Sequence, residues 1–149
     1  MTDVGFYHLQ KWPLERALPR LLEKVLARGL RAVVRTGTEA RLEHLDDLLW
    51  TYDEAAFLPH GTSADGHAGR QPVWLTLADE APNGATVLVL VDGVDPGDLS
   101  RFDRVVAMFD GHSAEAVQTA REHWRACRDA GHTLTYWQQT DQGGWQRLA

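Results

Sequence analysis

The run VLVLV at residues 87–91 is apolar at every position. A strand with one wet face alternates polar and apolar side chains, so this run describes a strand covered on both faces, central in a parallel sheet. Ala32, Val33 and Val34 repeat the pattern in the segment 31–35. The stretches between such runs supply the covering helices. Residues 4–9 (VGFYHL) read as a first strand, and Leu14, Leu18, Leu21, Leu22, Val25 and Leu26 follow at helical spacing until Gly29. Pro19 lacks an N–H, which predicts that the regular helix begins close to it or that a separate turn precedes it. Gly37 and Thr38 open a second helix with Leu42, Leu45, Leu48 and Leu49 as its buried stripe and Trp50 at its end. Residues 62–70 are polar, rich in glycine and alanine, and without periodicity, which predicts a mobile surface loop. Strands follow at 73–77 and 105–109, with one helical turn at 96–101 between them and the 87–91 run. A long helix then runs from Ser113 to the stop at Gly131, and residues 133–139 (TLTYWQQ) form the last strand. The alternation predicts an α/β fold, a three-layer, open, mostly parallel sheet, in a single domain over residues 1–149.

Composition narrows the function classes. A net charge of −6 argues against a general nucleic-acid binder, since phosphate contact needs a basic field. The single cysteine, Cys127, excludes an internal disulfide and fits a reducing compartment. With no charged-then-apolar leader and no apolar run near the roughly 20 residues that span a bilayer, the expectation is a cytoplasmic protein.

A sheet of this kind gathers ligands at the carboxyl ends of its strands, yet the loops for a nucleotide are missing. Gln10-Lys11-Trp12-Pro13 stands where a glycine-rich phosphate cradle belongs, and neither phosphate-binding fingerprint occurs in the chain. The fold therefore resembles a nucleotide-binding one without its phosphate-binding loop, and no cofactor is expected. Asp92 and Asp110 end strands where Mg²⁺-binding carboxylates of phosphoryl-transfer enzymes are found, although Asp-Gly pairs also suit ordinary turns. His60, His67 and Asp65 match no standard zinc spacing, so no metal is expected. Ser113 beside His112 makes no nucleophile and base.

The long helix carries the more suggestive pattern. At about 100° per residue, Val117, Ala120, Trp124 and Cys127 share an apolar arc bordered by Arg121, Arg125 and Arg128. A ligand with an apolar group and several acids fits such a border. An amphipathic helix with locally paired arginines fits it too. Six tryptophans are many for a chain of this length, and Tyr136 and Trp137 alternate across the final strand, where they can rim a pocket beside the arginines.

Taken in order, FYHL, LWTY, FLPHG, QPVWLT, VLVLVDG and AREHWRACRDAGHTLTYWQQ followed by GGW resemble the chi subunit family of the bacterial DNA polymerase III holoenzyme, over residues 6–145. The resemblance implies a non-catalytic accessory subunit that links the clamp loader and holoenzyme to single-stranded DNA-binding protein. It would do so by binding that protein's acidic C-terminal tail, which ends in a Pro-Phe carboxylate. It also implies a psi subunit as partner in many bacteria, a DinG-like helicase on the psi surface, nucleic acid met only indirectly, and no membrane. By position, the resemblance assigns the tail to Trp50, Val117, Arg121, Trp124, Arg125 and Tyr136, with Arg121 as the main arginine; helical geometry adds Arg128. One departure stands out: a family lysine one turn before that arginine is Val117 here. The psi or helicase surface falls on Phe57, Leu58, Pro59 and His60, which a packed loop anchor explains equally well. Two other readings stay open: a Mg²⁺-dependent phosphotransfer or nuclease enzyme using Asp92 and Asp110, and a helicase or repair adaptor acting through the Phe57 segment.

Overall fold

In chain order the elements are β1 (Asp3–Leu9), α1 (Leu14–Ala27), β2 (Ala32–Arg35), α2 (Glu39–Thr51), β3 (Val73–Thr76), β4 (Val87–Leu90), β5 (Arg104–Asp110), α3 (Ala114–Asp129), β6 (Thr133–Gln139) and β7 (Trp145–Arg147). The structure is a computed structural model that describes residues 2–53, 58–142 and 144–149. The seven strands form one sheet in the order β3-β2-β4-β5-β1-β6-β7, parallel throughout except for β7, which runs antiparallel to β6. Every residue of β2, β3 and β4 is buried, as unbroken apolar runs covered on both faces require.

Helices lie on both faces. α1 and α2 bury Leu14, Leu18, Leu22, Leu42, Leu45 and Leu49 against one side, with Tyr7, Val34, Val89 and Met108 from the strands. α3 closes the other side with Val117, Ala120, Trp124 and Cys127 over Val4, Phe6, Val105 and Phe109. The period of two along β1 separates the cores: Val4 and Phe6 face α3, while Tyr7 and Leu9 face α1. The predicted three-layer parallel architecture is the one observed.

Two local expectations are corrected. α1 begins at Leu14 and carries Pro19 inside it, buried. The apolar stripe on both sides of Pro19 is continuous, and its burial outweighs the single backbone bond that proline removes. The segment 96–101 is not helical: the Asp95 and Asp98 carboxylates accept from the backbone N–H of Gly97 and Ser100, both at 2.9 Å. Such local side-chain bonds compete with a helical turn, while Leu99 and Phe102 anchor the segment in the core. The stretch 62–70 is a mostly exposed loop, with Thr62 N–H donating to Asp65 at 3.0 Å and one 3₁₀ turn at Ala68–Arg70.

Candidate functional site

α3 is defined at both ends by its own sequence. Ser113 Oγ accepts from Ala116 N–H at 3.1 Å, and Gly131, at φ 86°, takes the left-handed conformation that stops the helix. Of its residues only Cys127 is fully buried. Trp124 sets an edge against Phe6, with ring centroids 5.3 Å apart, and meets Tyr136 of β6 at 6.2 Å. Val117, Trp124 and Tyr136 are half-buried, so the seam between α3 and β6 is apolar and partly open. Behind it, the Tyr136 hydroxyl is hydrogen-bonded to His8 Nδ1. Burial raises the pKa of this phenol, against the pull of the Arg121 charge nearby.

Arg121, Arg125 and Arg128 are exposed along this seam. Among the described residues neither Arg121 nor Arg125 forms an ion pair, and Arg128 meets only its neighbour Asp129 at 3.6 Å with both side chains mostly exposed. A surface pair of that kind contributes about 0–1 kcal/mol, so it hardly competes with an incoming carboxylate. Val117, Arg121, Trp124 and Tyr136 therefore come together, with Arg125 and Arg128 on the same helix. Trp50 does not join them. It lies on α2, on the opposite face of the sheet, 57% exposed and with its ring 4.7 Å from that of His60. Residues the sequence reading missed are His8 and Phe109, which back Tyr136 with ring centroids 6.0 and 6.3 Å away. The alternation that sends Phe6 toward α3 was the signal for His8.

Of the segment expected to meet psi or a helicase, Phe57 lies outside the described residues. Leu58 and His60 are buried, and the His60 imidazole contacts the Leu58 carbonyl at 2.8 Å and Asp46 Oδ1 at 3.0 Å. These two act as a loop anchor, with half-buried Pro59 between them in sequence and exposed Trp50 packed on the His60 ring.

The mouth of the sheet is a different environment. β1 and β5 are neighbours, yet the chain leaves one through α1 on one face and the other through α3 on the opposite face. That is a topological switch point, and a cavity of about 840 Å³ opens there. The backbone N–H groups of Gln10, Lys11 and Trp12, placed where a phosphate would be cradled, all converge on the side-chain oxygen of Gln139, at 3.3, 2.8 and 2.7 Å. Carboxylates of Glu15, Asp92, Asp110 and Glu115 line the wall, and the Arg41 guanidinium is engaged by Glu15 at 2.9 Å and Asp92 at 3.2 Å. Burial works against the Glu15 carboxylate, but a backbone bond and Arg41 hold its pKa below the usual value. Asp92, at φ 60°, forms the turn with Gly93, and the Asp110 carboxylate accepts from His112 N–H at 2.9 Å. Both aspartates thus hold ion-pair and turn positions, and no group of three metal-ligating side chains comes together among the described residues.

Fold and site define a class: a parallel α/β protein of nucleotide-binding shape whose phosphate position is filled by its own side chain, and whose uncommitted chemistry lies on a helix border. The chain belongs to the DNA polymerase III chi subunit family, since the family model described as DNA polymerase III chi subunit, HolC, matches residues 1–135. It is similar to the DNA polymerase III subunit chi of Pseudomonas aeruginosa, with 29% identity over 90% of this chain and 94% of that one. A probable DNA polymerase III subunit chi of Rickettsia prowazekii is 29% identical over 73% of this chain and 66% of its own length. The DNA polymerase III subunit chi of Escherichia coli is 24% identical over 71% of this chain and 72% of that one. The protein is accordingly a non-catalytic accessory subunit of the replicative polymerase complex. Among the described residues no helix is long and apolar enough to cross a membrane.

Proposed function

We propose that the α3 border receives the acidic C-terminal tail of single-stranded DNA-binding protein and so links the holoenzyme to coated single strands in the cytoplasm. The observation that carries this reading is the pair of exposed guanidinium groups, Arg121 and Arg125, without an acidic partner among the described residues and beside the half-buried Val117, Trp124 and Tyr136. The tail's phenylalanine enters the apolar seam, Arg121 holds its terminal carboxylate, and Arg125 and Arg128 meet its aspartates. A charge-assisted bond of this kind contributes about 1–3 kcal/mol, so losing Arg121 weakens binding by about tenfold or more. Tethering a weak contact to a large assembly then raises the local concentration of polymerase on the strand.

Titration of the tail peptide into wild type and Arg121→Ala tests the site, and equal affinities would remove it. Rising salt should weaken the wild-type complex. A Trp50→Ala variant should bind the tail as wild type does, because Trp50 lies on the other face of the sheet.

Exposed Trp50, whose ring packs on His60 of the 58–60 segment, favours a second contact, with a psi-type subunit or a DinG-like helicase. Co-purification with either candidate should fail for Trp50→Ala and survive in Arg121→Ala; the reverse pattern would transfer that contact to α3.

A further inference from the structure

On the face covered by α1 and α2 the layer of helices is unfinished. α1 lies over β5 and α2 over β3, whereas beyond α1 the sheet carries an aromatic group in place of a helix. Tyr7 stacks on Trp137 with centroids 5.9 Å apart, and Trp145 approaches Tyr7 edge-on at 5.0 Å. Between these rings and α1 opens a cavity of about 600 Å³. Its floor is apolar, from Tyr7, Val25, Met108 and Trp145. Its rim is basic, from Arg20 and Lys24 on successive turns of α1, Arg28 at the C-cap of that helix and Arg104 on β5. Among the described residues no carboxylate lines it, in a chain whose net charge is −6. Among the described residues only Arg20 on this rim has an ion pair, with Glu23 at 3.3 Å on the surface, while Arg104 donates to the Tyr7 hydroxyl at 3.2 Å.

We propose that this groove docks an acidic amphipathic helix of a partner protein, which completes the helical layer. Charge complementarity carries the choice of occupant. Cations four residues apart on α1 repeat at about 6 Å, the interval at which carboxylates four residues apart appear on a partner helix lying alongside. The apolar floor takes that helix's hydrophobic side chains. Single-stranded nucleic acid fits less well, because it requires open ring faces. Here Tyr7 is flanked by Trp137 and Trp145, and Trp12 already carries the Arg16 guanidinium 4.0 Å from its ring centroid. This surface lies on the opposite face from the α3 border and stands independently of the tail reading.

The test uses the full chain and a small set of labelled peptides of about 20 residues, helical, with Glu at every fourth position and Leu, Met, Phe or Trp on the apolar face. The same peptides with Lys for Glu, polyglutamate and oligothymidylate serve as competitors. At least one acidic peptide should bind saturably and shift the Trp145 indole N–H resonance. Lys24→Glu with Arg28→Glu should weaken that peptide by about tenfold or more, and Arg121→Ala should leave it unchanged. Both reversed residues are exposed, and the milder pair Lys24→Gln with Arg28→Gln repeats the comparison should the reversed chain not fold. The proposal is overturned if no peptide binds, if binding survives both pairs, or if it depends on Arg121. Polyglutamate binding as tightly would reduce the groove to plain charge attraction, and oligothymidylate binding more tightly through Lys24 and Arg28 would make it a nucleic-acid surface; either result also overturns it.

Discussion

Replacing Gln139 by alanine should loosen the β1–α1 junction more than any other single truncation at the mouth of the sheet. The Gln139 side-chain oxygen accepts strong bonds from Lys11 and Trp12 N–H, at 2.8 and 2.7 Å, and a marginal one from Gln10 at 3.3 Å. Each good bond contributes about 1 kcal/mol net, and a donor left buried costs about 1–3 kcal/mol. Gln10 and Lys11 are exposed, so water replaces the lost acceptor there; half-buried Trp12 carries the larger penalty. The expected loss is about 2–3 kcal/mol, a drop in Tm of roughly 4–12 °C for a chain of this size. Urea unfolding measures the first quantity, and amide exchange at residues 10–12 reports whether the loss is local. Gln139→Glu supplies the contrast. It keeps an acceptor at the start of α1, where negative charge is favoured, and removes the buried Nε2 that finds no hydrogen-bond partner among the described residues. It should retain most of the stability. An alanine variant within about 0.5 kcal/mol of wild type, or a glutamate variant as unstable as alanine, would refute this account of the junction.

Three further outcomes follow from the same structure. A Cβ at Gly111 would overlap the His8 ring and approach the Leu9 carbonyl oxygen to 2.6 Å, so Gly111→Ala should cost about 1–3 kcal/mol in urea melts. Burial holds the His8 pKa below 6.5, against a bond to the Gly111 backbone and with help from His112. The unfolded chain therefore takes up this proton first as pH falls: stability is whole above 6.5 and declines below it, and His8→Gln should flatten that part of a pH series of urea midpoints. Ser113→Ala removes the α3 cap and should lower Tm by about 2–4 °C for about 1 kcal/mol, with tail affinity changed little if the helix persists.

The sheet was legible because its signals are local. Five consecutive apolar residues at 87–91 and three at 32–34 state that both faces are covered, and leucines at helical spacing name the covers. Pro19 misled because the sequence shows a missing donor and not the core that compensates for it. The turn expected at 96–101 failed because Asp95 and Asp98 bond their own backbone, which spacing does not reveal. The α3 border was half legible. Helical periodicity placed Val117, Trp124 and the arginines on one edge, but whether acids neutralise them is a property of side chains brought in from elsewhere. Trp50 could be assigned only by positional likeness, and the face of the sheet that carries α2 separates it from the rest. Nothing in the pattern of Gln10 to Trp12 shows that a glutamine more than a hundred residues away fills the space between them.

The short strand β7 has a role out of proportion to its three residues. It pairs with β6, and the backbone beyond it continues the ladder, with Leu148 N–H donating to the Tyr136 carbonyl at 2.8 Å and Tyr136 N–H to the Ala149 carbonyl at 3.3 Å. Without that cover, TLTYWQQ would offer an open row of amides flanked by aromatic side chains, a template onto which another chain could add a strand. The segment from β7 to Ala149 thus covers the edge of β6 and holds Tyr136 by both its backbone groups. With β6 paired on both sides, the seam beside α3 presents side chains rather than backbone, and the unpaired edge of the sheet passes to the three-residue β7.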